Sequence, residues 1–457
     1  MNPAAARRKY APESFNPARD CRRNVLSCHW SFTGRAVHGC HRSRLLTNRH
    51  LAAHIVRPTE RKPSNTMNPT SPLSLVIADC ADSVIVERTV WELASRLPRD
   101  RFDVRVWLST DPAKNPIAEA LAEREIPVDR MPTNATAWSL RRMFDVWGRL
   151  RRARPSLLHL HFTWPSDDGV PGALTEMAGV RHHIVTAHGA RTPELTRGAS
   201  KRLLNRADVV TTTCEGFADQ LVRETGISRD HIRRITPGVD EPDESREVEL
   251  ARRIRDRLGA GVIRPLWVFA GRFAAQRGAS VLIEALGIVR ERGLHFVAAL
   301  VGKGPQAPEL EQRIADLGLQ ASVHLIEPDG TLEPMLAAAD AVVVPSLWEG
   351  ASSVLLQAVS RGRPVIASAV GGAPDVIENG VTGRLVPPGD ARALADALEA
   401  FHRRADTATR MGREAGRRSC EEFTWGSIVD SYEAVYDEVL GLSSFAPERD
   451  AVARGRW

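Results

Sequence analysis

Residues Pro345 to Val354 read PSLWEGASSV, and this stretch decides the fold. The four residues before it, Ala341 to Val344, are small or β-branched and make a buried strand. The chain then turns tightly, presents one carboxylate at Glu349, and enters a helix. That order sets an acid and a row of free helix-start amides at the carboxyl end of a buried parallel strand, where open α/β sheets take ligands. A phosphate-bearing ligand suits such a place.

Working outward, the same alternation of strand and helix continues in both directions. Upstream come strands at 266–271, 296–302 and 323–326, with helices at 279–291, 309–317 and 332–338. Downstream come a helix at 352–361, a strand at 364–367, a short helix near 374–378, and helices at 391–403 and 406–418. An earlier series begins at Leu73, with strands at 73–78, 104–108, 157–161, 183–188 and 208–213 and helices at 83–97, 117–125 and 139–152. A strand ends near Ile235 in a Pro-Gly turn, and the polar, charged segment 241–257 that follows reads as an interdomain linker. Alternation at these lengths means parallel sheets covered on both faces. The expected fold class is therefore α/β, with two Rossmann-like doubly wound domains facing a cleft, at 71–240 and 241–425. A last helix within 426–445 carries Ile428, Tyr432, Val435, Tyr436, Val439 and Leu440 at helical spacing, and 446–457 is a loose tail.

The chain has 457 residues, 43% apolar, and a net charge of +6. The charge is unevenly placed. Residues 1–66 hold 13 Arg and Lys against three acids, a balance of +10, so the remaining residues sum to −4. The high pI therefore gives no reason to expect nucleic-acid binding by the folded body. Residues 1–70 read as a basic leader whose expected state is disorder, with Met67 the expected functional start. Its cysteines and histidines match no paired-ligand spacing for zinc, and it lacks the apolar core of a secretory signal. The other cysteines, Cys80, Cys214 and Cys420, are scattered singly, which fits a reducing compartment, the cytoplasm. No apolar run approaches the roughly 18 to 20 residues that span a bilayer, which leaves peripheral contact with the inner face of a membrane open.

Further glycine and arginine signals flank the opening motif: Gly271-Arg272, then Arg277-Gly278, and later Gly371-Gly372 and Gly380-Val-Thr-Gly383. Taken in order with PSLWEGASSV, they resemble the C-terminal half of the retaining GT-B glycosyltransferases of family 4. The resemblance covers residues 73–442, is specific in the second domain and faint in the first. It implies metal-independent transfer of a sugar from a nucleotide-sugar donor to a glycan, lipid or small-molecule acceptor, with no separate cofactor. Arg272 and Arg277 would then bind the donor diphosphate, together with the backbone amides of Ser352, Ser353 and Val354. Glu349 resembles the acid that approaches the donor sugar, and His188, followed by Gly189 at a strand end, resembles the family's histidine beside the donor. Leu325 and Ile326 would supply backbone contacts to the base. His159 and His161, alternate residues of one strand, point the same way and favour a structural or acceptor-edge role over a metal pair.

Two departures stand out. The family carries a second Glu after seven intervening residues, which binds the ribose hydroxyls; here that position is Gln357, an amide that both donates and accepts. The family also carries a Gly-Gly pair after its first strand, where this chain reads Asp79-Cys-Ala-Asp-Ser-Val-Ile-Val-Glu87. These departures keep two alternatives open: a non-catalytic nucleotide-sugar-binding relative that has lost turnover, or another GT-B enzyme such as an epimerase.

Overall fold

Strand β1 (Leu73–Asp79) lies at the centre of a seven-stranded sheet with β2 (Phe102–Ser109), β3 (Val128–Met131), β4 (Leu157–Trp164), β5 (His183–Gly189), β6 (Val209–Thr212) and β7 (Ile232–Arg234). The order is β3-β2-β1-β4-β5-β6-β7 and neighbouring strands are parallel. A second parallel sheet of six strands is ordered β10-β9-β8-β11-β12-β13. Its strands are β8 (Leu266–Ala270), β9 (Val297–Val301), β10 (Val323–Ile326), β11 (Ala341–Val344), β12 (Val365–Ser368) and β13 (Arg384–Val386). In each sheet the winding reverses once, between β1 and β4 and between β8 and β11, and such a switch point opens a crevice at the strand C-termini. The computed structural model describes residues 72–79, 84–131, 140–164, 179–189, 198–328, 330 and 332–442, all within one contact unit.

Strands such as β9, buried along all five residues, are apolar throughout because helices cover both faces of the sheet. Each sheet accordingly has two apolar clusters, one per face. The helix Trp425–Leu440 adds Trp425, Ile428, Val429, Tyr432, Val435 and Tyr436 to the cluster around β1 and β2, so its apolar stripe is the buried one. Thr424 caps its start by accepting from Ser427 N at 3.1 Å, and Arg101 ties its outer face through Glu433 and Asp437.

Segment 241–257 differs from its sequence reading. Glu244–Leu258 is a 15-residue helix, opened by Asp243, whose carboxylate accepts from Arg246 N at 3.3 Å, and closed by Gly259 at φ 65°. Buried Ala251 and half-buried Ile254 and Leu258 pack on the second sheet. Their helical spacing was the available signal, masked by the charged residues between them. Edge strands β3 and β13 were also unanticipated; they are four and three residues long and carry polar residues, so alternation is too short to read. The first-sheet helix expected at 117–125 starts at Asn115 and ends at Ala122. The leader, the tail from 443 and residues 80–83, where the family's Gly-Gly pair is replaced, lie outside the described residues.

Candidate active site

The stretch that opened the sequence reading leaves β11 at Val344 and enters the helix Ser353–Ser360. Ser352 is its N-cap, with its Oγ accepting from Leu355 N at 3.4 Å. The turn between them is held by two glycine contacts. A Cβ on Gly278 would lie 1.9 Å from the Pro345 carbonyl oxygen, and one on Gly371 would lie 1.9 Å from that of Glu349; both glycines have positive φ. Any other residue at either position would push the acid-bearing turn off its strand.

Glu349 is 5% exposed and forms an ion pair with Arg277, which follows β8 across the switch point. Ser346 Oγ donates to Glu349 Oε2 at 3.2 Å, while Oε1 is buried with no hydrogen-bond partner. Burial pushes the Glu349 pKa above the usual carboxylate range, chiefly against the pull of the Arg277 guanidinium. Glu349 lines a cavity of about 350 Å³ together with Trp348, Gly350, Gly371 and, from the first domain, Gly189 at the end of β5 and Phe217 on the helix Glu215–Thr225. His188 precedes Gly189 at the end of β5 but is itself buried, its Nε2 3.2 Å from His161 Nδ1.

Ser353 and Gln357 line a second cavity of about 280 Å³ with Arg88, Asp240, Glu333, Arg361 and Trp425. The structure thus brings Arg277 to Glu349, and Ser353 to Gln357, but Glu349 and Gln357 border different cavities. Arg272 is exposed on the loop after β8, and Val354 is half-buried against the second sheet. Leu325 and Ile326 end the edge strand β10, where the Ile326 carbonyl accepts from Gly302 N at 2.9 Å. Neither residue borders the two cavities.

Two features escaped sequence reading. At the end of β1, where the Gly-Gly pair was missing, Asp79 at 0% exposure meets Lys114 Nζ at 2.9 Å, and Glu87 meets the same ammonium at 2.9 Å. Nothing local marks Lys114, which sits in a short turn after β2. The second feature is a buried chain of rings. His159 bonds Tyr436 Oη at 2.8 Å and Thr186 Oγ1 at 2.6 Å, its ring lies 4.1 Å from that of His161, and His161 leads to His188.

Burial lowers His188 to about 4 and, with His188 nearby, His159 to about 3; His161 is lowered well below its ordinary value by burial and both neighbours. All three are neutral in the fold at pH 7. Because their folded pKa values lie below the unfolded value of about 6.5, their stability contribution is present above pH 6.5 and lost as pH falls toward 4. Each adds a slope of about 1.4 kcal/mol per pH unit in that window. Denaturant midpoints should therefore fall clearly between pH 7 and pH 5; equal midpoints at those two pH values would contradict the neutral chain.

Family models place this architecture. Residues 86–241 match the model described as Glycosyltransferase Family 4, and residues 264–404 match that described as Glycosyl transferases group 1. A D-inositol 3-phosphate glycosyltransferase of Saccharomonospora viridis is 30% identical over 305 residues, covering 62% of this chain and 70% of that protein. The chain belongs to the family 4, group 1 glycosyltransferases. An alpha-D-kanosaminyltransferase of Streptomyces kanamyceticus is 26% identical to this glycosyltransferase over 260 residues, 56% of its chain and 67% of the relative. Among solved structures, Anabaena HepE in complex with UDP matches at TM-score 0.66 and 21% identity, covering 80% of this chain and all of that one. A glycosyltransferase of Rickettsia africae matches at TM-score 0.67 and 18% identity, over 81% and 100%. The two sheets are the two Rossmann-like domains of a GT-B fold, and the glycosyltransferase is an enzyme of the transferase class. No helix among its described residues is long and apolar enough to cross a membrane.

Proposed function

We propose that the enzyme transfers a sugar from a nucleoside diphosphate donor to a glycan, lipid or small-molecule acceptor, with retention at the anomeric carbon and without a metal ion. The observation that carries this reading is Glu349, a buried carboxylate with one unpartnered oxygen, held beside Arg277 at the start of a helix. The leaving diphosphate gains negative charge as the glycosidic bond breaks. The Arg277 guanidinium, the exposed Arg272 and the first-turn amides of Ser353 and Val354 are the groups that would stabilise it. In front-face substitution the acceptor enters on the side from which diphosphate leaves, so no protein carboxylate acts as nucleophile. Glu349 then orients the donor sugar through its hydroxyls, and His188 supports the facing wall of the cleft as a neutral ring.

The UDP in HepE supports uridine donors as the first to assay, and the D-inositol 3-phosphate relative supports that acceptor as a starting point. Turnover should survive EDTA, and the product should keep the donor anomer by NMR. Arg277→Ala should weaken nucleoside diphosphate binding by about 1.5 to 3 kcal/mol, the range for hydrogen bonds to charged groups. Full dependence on added magnesium or manganese would overturn the metal-free reading, and an inverted product would overturn retention.

A further inference from the structure

Gln357 puts an amide where the resembled motif has a carboxylate, and the structure shows a second acid in the same cavity. Glu333 opens the helix Glu333–Ala338, which packs against the helix carrying Gln357. Both residues line the cavity of about 280 Å³, close to the roughly 300 Å³ at which small-ligand pockets begin. Gln357 Oε1 and Glu333 Oε2 are each buried without a hydrogen-bond partner. The other acid bordering the cavity, Asp240, takes Arg88 at 2.7 Å, and the second arginine there, Arg361, is clamped by Glu247 at 2.8 Å. Two orphaned acceptors therefore remain on residues that line one small space.

Resting on the nucleotide-sugar reading, we propose that Glu333 binds the donor's ribose, its carboxylate and the Gln357 amide oxygen accepting from the 2′- and 3′-hydroxyls. A vicinal diol presents two O–H donors, which matches two unpartnered oxygens. Leaving a buried acceptor unpaired is unfavourable, and the ligand relieves it. The role open to any acid in this position, complementing the helix dipole from the first turn, needs the charge alone and makes no use of Oε2 as a directed acceptor. In this enzyme the carboxylate has thus moved from the helix after β11 to the helix before it.

The test is isothermal titration of UDP and 2′,3′-dideoxy-UDP, with the guanosine pair in parallel, into the full chain. Wild type should bind the ribose form about 10-fold or more tightly than the dideoxy form, the factor expected of a hydrogen bond to a charged group. Glu333→Gln should weaken the ribose form by about 10-fold and leave the dideoxy form within about twofold, collapsing the ratio. The double variant Glu333→Gln with Gln357→Glu should restore the preference by returning a carboxylate to the cavity. Equal losses for both nucleotides would make Glu333 merely structural, and unchanged ribose-form affinity would remove it from the site; either overturns the assignment while leaving nucleotide binding intact. A wild type that binds neither UDP nor GDP would overturn the nucleotide-sugar reading itself.

Discussion

Glu349→Gln is expected to lower transfer by about 10²- to 10³-fold, the loss typical when one preorganised group at the reacting centre is removed, without lowering the melting temperature. The two halves of that expectation have one cause. Burial raises the Glu349 pKa, so the ionised carboxylate opposes folding: its contribution is most favourable below the unfolded pKa and is lost as pH rises through the folded one. The neutral amide therefore cannot carry the charge that burial opposes, and Arg277, 37% exposed, turns to water. A charge kept where it opposes folding, with an oxygen left unpartnered, marks a group retained for its chemistry. The comparison is of initial rates and thermal melts for wild type, Glu349→Gln and Glu349→Ala. Parallel loss of rate and melting temperature would reduce Glu349 to a structural ion pair.

Lys114→Met should have the larger effect on stability, about 3 to 5 kcal/mol, because it leaves Asp79 buried without its cation. The ammonium is itself only 2% exposed. Burial lowers its pKa, but Asp79 and Glu87 together outweigh that and raise it. The contribution is therefore present through neutral pH, below the unfolded value of about 10.4, and fades as pH rises through the folded value. Adding Asp79→Asn to Lys114→Met should recover part of the loss, since an apolar and neutral pair no longer buries an uncompensated charge. Chemical denaturation of the single and double variants decides it. A single variant within about 1 kcal/mol of wild type would mean that water reaches Asp79 and the pair is not buried in solution.

Local order in the chain was enough for much of this protein. The run from Ala341 to Val354 announced a strand, an acid-bearing turn and a helix start, and the structure has them at those positions. Uniformly apolar stretches such as 297–301 read as central parallel strands, and the spacing from Ile428 to Tyr436 read as a buried helical face. These are properties of neighbours three or four residues apart, or two, and they are carried by the sequence itself.

What only the tertiary structure decided depends on partners far apart in the chain. Lys114 meets an acid 35 residues away, and His159 meets a tyrosine 277 residues away on the final helix. Arg277 reaches Glu349 across 72 residues because β8 and β11 are neighbours at the switch point, not because the sequence pairs them. Likewise Glu333 carried no motif, and gained a candidate role when the helices before and after β11 brought it, with its unpartnered oxygen, to the lining of the cavity that Gln357 borders. Periodicity fixes which face of an element is apolar. Which charge or acceptor stands opposite is set by strand order and packing, and the low dielectric of the site makes that pairing energetically decisive.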